Sequence, residues 1–131
     1  KVWLITGASS GLGAPLAHHV LRAGHKVVGV VRNIIKAKDT NPYFENLGGV
    51  WTQLDVTNPK TKDHIGLLSR GYGGFDVGVN SASYSILGSI EETREYGIYK
   101  QVDTNLYGPI RVLQGSFPAM RQKKTGCIVN I

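Results

Sequence analysis

An α/β fold on a parallel, doubly wound sheet is what this sequence predicts, and three observations carry the prediction. The apolar run Val2-Trp3-Leu4-Ile5 breaks directly into a glycine-rich stretch, Thr6-Gly7-Ala8-Ser9-Ser10-Gly11-Leu12-Gly13. Continuous apolar runs then alternate with stretches of helical periodicity, the pattern of strands covered on both faces. Residues able to do chemistry, among them Arg32, Asp55 and Asn80, stand where those apolar runs end.

Strands are expected near residues 2–6, 26–31, 50–55, 75–80 and 126–131. Between the first two, Leu12, Leu16, Ala17, Val20 and Leu21 fall on one helical stripe, Pro15 is early enough to be tolerated, and Gly24 supplies a stop. From Asn33 to Leu47 a short helix and a loop are expected, because Asn41-Pro42 interrupts any helix begun near Ile34. Thr57-Asn58-Pro59 reads as a cap with proline in the first turn, Ile65 and Leu68 then face the core, and Gly71-Tyr72-Gly73-Gly74 closes that helix. From about Glu92 to Lys123, Val102, Leu106, Ile110, Leu113, Phe117 and Met120 recur at helical spacing, with a bend at Pro109. Right-handed crossovers join such units into a Rossmann-type sheet of order 3-2-1-4-5, whose ligand crevice lies outside the carboxyl ends of strands one and four.

The 131 residues suffice for one core but are few for a two-half dinucleotide-binding enzyme, so the fold is expected to be incomplete. Lys1 is not an initiator methionine, and Cys127-Ile128-Val129-Asn130-Ile131 stops within a strand pattern. Residues 1–131 therefore read as one domain, the amino-terminal piece of something longer. A single cysteine, expected to be a small buried hydrophobe, excludes an internal disulfide and fits a reduced, cytoplasmic setting. No stretch approaches the roughly 20 apolar residues of a membrane span. The net charge of +6 is scattered rather than gathered on one aromatic-studded face, which argues against a nucleic-acid partner. His18-His19 lacks metal-ligand spacing, and no metal is expected.

The glycine-rich stretch carries the first chemistry. Gly7 lets the chain leave the strand in a tight turn, Gly11 has no side chain to hold a phosphate at a distance, and Gly13 lets the helix pack closely. Main-chain amides along Ser9, Ser10, Gly11, Leu12 and Gly13, with the positive end of the helix dipole, then suit a pyrophosphate. A P-loop lysine is missing, and three residues separate the first two glycines.

Val30-Val31-Arg32 ends the second strand without a carboxylate for a free ribose hydroxyl and with a guanidinium for a 2′-phosphate. NADP is thereby favoured over NAD. Asp55, at the end of strand three, is placed either to accept from an adenine amino group or to cap the next helix. Asn80-Ser81-Ala82-Ser83, at the switch point, suits a chain running under a ribose or forms a plain turn.

Taken together, Thr6-Gly7-x-x-x-Gly11-x-Gly13, Asp55-Val56, Asn80-x-Ala82 and Asn105-Leu106-Tyr107-Gly108 resemble, in kind and in order, the motifs of the short-chain dehydrogenase/reductases. The resemblance covers nearly the whole chain. It implies a nicotinamide cofactor and reversible hydride transfer between a small-molecule carbonyl and an alcohol. It also implies that the backbone around Asp55 and Asn80 lies near adenine and its ribose, and that Asn105 helps hold a proton-relay water. Asn105 is thus the catalytic candidate, and Gly7, Ser9, Ser10, Gly11, Leu12, Gly13, Arg32, Asp55, Val56, Asn80 and Ala82 are the cofactor-binding candidates. In the family a serine after strand five and a later tyrosine-lysine pair complete the acid-base set. Those positions lie past Ile131.

Two departures stand out. Ser83 takes the place of a family glycine, and Gly78 stands inside strand four where a larger residue is expected to pack better. They motivate an alternative, a dinucleotide-binding module without chemistry or a decayed copy. An epimerase or dehydratase on a related fold is disfavoured by the spacing of the first glycines. Tyr96 and Lys100 stand at the family's catalytic interval but precede Asn105, so they read as a coincidence. A homo-oligomer is left open for the full-length protein.

Overall fold

The computed structural model describes residues 1–131. Five parallel strands, β1 (Val2–Thr6), β2 (Lys26–Val31), β3 (Val50–Gln53), β4 (Val77–Asn80) and β5 (Cys127–Asn130), form one sheet in the order β3-β2-β1-β4-β5. The helices are α1 (Gly13–Arg22), α2 (Ile34–Thr40), α3 (Thr61–Gly71), α4 (Glu95–Val102) and α5 (Gly108–Lys123), with a π-helical turn at Asp103–Tyr107 between the last two. No helix is long and apolar enough to cross a membrane.

Successive strand residues point to opposite faces, so each apolar run feeds two cores. Ile5, Val27, Val31, Val77 and Val79 pack with Ala17, Val20 and Leu21 of α1 and with Ala37 of α2. On the other face Leu4, Val28 and Val30 meet Ile65 of α3 and Val112 and Met120 of α5. The first core is capped by Phe44 stacked on Trp51, ring centroids 3.7 Å apart. That stack requires glycine beneath it: a Cβ on Gly29 would stand 2.8 Å from the Trp51 ring, and one on Gly49 2.4 Å from Phe44.

Several expectations are corrected. α3 starts at Thr61 rather than at Thr57, because Asp55 and Asn58 each bond a backbone amide two residues on and hold residues 55–60 in turns. The distortion in the long helical stretch lies in the π turn, where the Gly108 amide bonds the Asp103 carbonyl; Pro109 merely starts α5. The expected apolar stripe reaches the core only toward its carboxyl end, at Phe117 and Met120, and leaves Val102 40%, Leu106 53% and Ile110 39% exposed. A face of small residues replaces it: Gly115 packs so tightly on α3 that a Cβ would stand 2.6 Å from the Lys62 carbonyl. Leu12, placed on the α1 stripe by periodicity, precedes the helix and is exposed. Cys127 is exposed as well, since it begins an edge strand. Gly78 leaves no gap, because Ile128 fills the space its side chain would take, with Cδ1 2.8 Å from the ideal Cβ position.

At the amino-terminal edge of the sheet, Asp76 accepts from the Val2 amide at 2.7 Å and from Lys123 Nζ at 2.8 Å. The Lys123 ammonium first, and the Val2 amide second, hold the Asp76 carboxyl below its ordinary range against a smaller opposing effect of burial. This clamp ties β1, β4 and α5 together on the side away from the strand ends that carry the candidate residues.

Candidate functional site

A cleft of about 950 Å³ opens at the carboxyl edge of the sheet. One wall is the turn from β1 into α1. Gly7 has φ +66° there, and a Cβ on it would lie 2.9 Å from both the Ala82 backbone and the Ser81 carbonyl, so glycine allows the two crossover loops to touch. Gly11 has φ +54° and open space within 4 Å of its would-be Cβ. Gly13 is crowded instead, its would-be Cβ 2.3 Å from the Gly7 carbonyl. The close approach it permits is thus helix to turn rather than helix to sheet.

The amides of Ser10, Gly11, Leu12 and Gly13 donate to no backbone carbonyl, and no side chain caps α1. Unsatisfied N–H groups at a helix start, with the dipole behind them, are an anion site in waiting. Opposite the turn, Thr6 Oγ1 accepts from the amides of Ser81 and Ala82, each at 3.1 Å, and so pins the loop after β4 to the end of β1. Sequence patterning assigned Thr6 no such task, because a buried hydroxyl carries no periodic signal.

Gly7, Ser9, Ser10, Gly11, Leu12, Arg32, Asp55, Val56 and Ala82 all line the cleft. Arg32 follows β2, is exposed, and has no carboxylate partner among the three ion pairs. Asp55 Oδ1 accepts from the Thr57 amide at 2.9 Å and hydroxyl at 2.8 Å, closing a turn ahead of α3 rather than capping that helix, which no side chain caps. Val56 is buried, in contact range of Gly108 at the start of α5.

Three candidates lie off the lining. Gly13 packs behind the turn. Asn80 turns into the sheet, where its Nδ2 donates to Asn130 Oδ1 at 2.8 Å and its own buried Oδ1 has no partner. Asn105, in the π turn, spends its side chain on one residue: Oδ1 accepts from the Tyr84 amide and Nδ2 donates to the Tyr84 carbonyl, both at 2.9 Å. Pro109 has no amide proton to give the Asn105 carbonyl four residues back.

The far wall was the part hardest to foresee. Tyr96, Tyr99 and Lys100 of α4, Val102, and Asp103, Thr104 and Tyr107 of the π turn face the cleft with Arg111. Arg111 pairs with Asp103 at 2.8 Å and reaches the Val56 carbonyl at 3.3 Å. Lys100 places Nζ 4.8 Å from the centroid of the Tyr84 ring. Tyr96 and Lys100 thus share the cleft, a proximity that their place ahead of Asn105 does not predict. Ser83 sits at the mouth without strain, since Lys124 alone among non-glycine residues has positive φ.

Comparison with known proteins agrees with this fold. The family described as short chain dehydrogenase matches residues 1–131. Oxidoreductase claN of Passalora fulva is 42% identical over 130 residues, covering 98% of this chain and 59% of that protein. A 3-ketodihydrosphingosine reductase of Bacteroides thetaiotaomicron is 32% identical over 133 residues, covering 100% of this chain and 46% of that protein. Among solved structures, a putative short-chain alcohol dehydrogenase from Sinorhizobium meliloti superposes with a TM-score of 0.89 at 28% identity, over 99% of this chain and 53% of that one. A metagenomic short-chain oxidoreductase in complex with NADP superposes with a TM-score of 0.84 at 27% identity, over 99% and 60%. The chain spans about half the length of the curated relatives it matches.

Proposed function

Because the chain belongs to the short-chain dehydrogenase/reductase family, we propose that residues 1–131 are the nucleotide-binding part of an NADP-dependent oxidoreductase acting on a small-molecule carbonyl or secondary alcohol. The observation that carries the proposal is the conjunction of a helix start with bare amides, empty space at Gly11, and an unpaired Arg32 on one cleft. These residues fit a dinucleotide with a 2′-phosphate. The amides of Ser10 to Gly13 hold the pyrophosphate, Arg32 takes the 2′-phosphate, and the backbone about Asp55, Val56 and Ala82 borders the adenosine. One of the superposed structures, the metagenomic short-chain oxidoreductase, is in complex with NADP, which supports this reading.

When bound, the nicotinamide supplies or accepts the hydride. The chain's own contribution is to orient, and to manage a proton path at its edge. We assign the relay water to the main-chain carbonyl of Asn105, whose side chain is committed to Tyr84 and to which Pro109 has no amide to donate. Asn80 serves beneath the site, joining β4 to β5 through Asn130. Ser83 and Gly78, which raised the alternative of a module without chemistry, are both accommodated without strain or cavity. A reduced, cytoplasmic setting completes the reading.

The test is a turnover assay on the full-length polypeptide with NADPH and a panel of ketones and aldehydes, following loss of nicotinamide absorbance. Oxidation of NADPH that depends on a carbonyl is expected. Tight NADPH binding with no turnover on any substrate of either redox direction would leave a binding module in its place.

A further inference from the structure

Asn41 ends α2, does not line the cleft, and is only 8% exposed, a deep position for an amide in a loop. Its side chain explains the burial. Nδ2 donates to the Ser9 carbonyl at 3.1 Å, with the Ala37 carbonyl at 3.2 Å and Thr40 Oγ1 at 2.9 Å also in reach, while Oδ1 meets His18 Nε2 at 3.2 Å. Turning the amide over would set its oxygen against two carbonyls, so its neighbours fix the orientation. Oδ1 can only accept, which makes Nε2 the donating nitrogen of His18. That ring is held edge-on to Phe44, centroids 6.2 Å apart.

Ser9 belongs to the glycine-rich turn, and no other group donates to its carbonyl. The Ser9–Ser10 peptide is trans, so its carbonyl and its N–H point in opposite directions. Drawing the carbonyl toward Asn41 therefore turns the Ser10 amide away from Asn41, and that amide has no protein acceptor. The turn flanking this peptide contains two left-handed glycines, which leave the backbone free to take other shapes when unrestrained.

We propose that Asn41, oriented by His18, is a positioning residue for the glycine-rich turn: it sets the direction of the Ser9–Ser10 peptide and so presents the Ser10 amide to an anionic group of a dinucleotide. The proposal rests on the reading of the cleft as a dinucleotide site. It assigns a role in affinity to two residues outside the cleft lining, one of them, Asn41, 32 positions from Ser9 in sequence. If the untethered turn holds the receptive shape for a tenth of the time, apparent affinity falls about tenfold.

The experiment uses the full-length polypeptide with Asn41→Leu, His18→Leu and His18→Gln, the last keeping a donor for Asn41. Apo amide NMR reports the Ser10 resonance, and NADPH fluorescence titration reports affinity, both well below each variant's unfolding midpoint, where loss of stability alone leaves Kd unchanged. Expected are a displaced Ser10 amide in Asn41→Leu, NADPH binding weakened about tenfold, and a weakening in His18→Leu that His18→Gln restores to within about twofold of wild type. A folded Asn41→Leu protein with an unmoved Ser10 amide or unchanged affinity overturns the proposal. Should Asn41→Leu not fold, the His18 pair decides: weakening restored by Gln supports it, and equal affinities overturn it. Wild-type protein that binds no NADPH defeats the dinucleotide reading, while the Ser10 amide still answers for Asn41.

Discussion

Gly11 and Gly13 lie two residues apart in one motif, yet alanine at each is expected to fail for a different reason. At Gly13 the new Cβ would stand 2.3 Å from the Gly7 carbonyl oxygen and 2.9 Å from its carbon, both backbone atoms that cannot rotate aside. The helix start or the turn has to move, at a cost of about 3 kcal/mol. At Gly11 the Cβ meets nothing within 4 Å, so the unliganded protein bears only the left-handed backbone at φ +54°. That costs about 1–2 kcal/mol. With roughly 4 °C per kcal/mol for a domain of this size, Gly13→Ala lowers Tm by about 12 °C and Gly11→Ala by about 6 °C. Ligand reverses the ranking of interest: the Gly11 methyl occupies the space proposed for the pyrophosphate, and NADPH affinity falls by at least about tenfold, some 1.4 kcal/mol. Thermal unfolding with and without NADPH, together with direct titration, separates the two effects. Gly11→Ala protein that binds NADPH as wild type does, or loses as much apo stability as Gly13→Ala, would refute the reasoning.

Arg32→Asp places a carboxylate where the 2′-phosphate is proposed to sit, and the preference for NADPH over NADH should drop by about a hundredfold in paired titrations; an unchanged ratio removes Arg32 from cofactor choice. Thr6→Val strips the acceptor from the Ser81 and Ala82 amides and should cost about 2–3 kcal/mol in urea unfolding, whereas an unshifted midpoint would show that the hydroxyl does not pin the loop. Asp76→Asn should cost about 1 kcal/mol near neutral pH, a modest figure because Asp76 and Lys123 remain 27% and 30% exposed. The sign follows from the depressed Asp76 pKa: its contribution is complete above the ordinary carboxylate range and is lost as pH falls through the folded-state value. Wild type and variant should therefore converge in stability under acid, and a difference that persists there contradicts the clamp.

The sheet was legible because its strands are short apolar runs and because right-handed crossovers, with the switch point placed behind the glycine-rich turn, fit the order β3-β2-β1-β4-β5. Val27-Val28-Gly29-Val30-Val31 is unambiguous in that respect. The glycine-rich turn was legible for a related reason: glycine is needed where φ is positive or backbones touch, and Gly7, Gly11 and Gly13 each meet one of those conditions. The α4–α5 region was not. Its π turn shifts the helical phase, and α5 buries Gly108, Gly115 and Ser116, residues that hydrophobic periodicity does not count. Cys127 shows that burial follows from a strand's neighbours in the sheet, which residue type alone does not report: within residues 1–131 it stands at the start of the outermost strand. Thr6, Asn41 and His18 act through polar contacts that reach residues distant in sequence, and pattern reading has no purchase on such contacts.

The most direct measurement is calorimetric titration of the full-length polypeptide with NADPH and with NADH, repeated on Gly11→Ala. One site per chain, tighter for NADPH, and weakened by the added methyl is the predicted result. No NADPH binding by wild-type protein, or binding that neither distinguishes the two coenzymes nor responds to Gly11→Ala, would contradict the account.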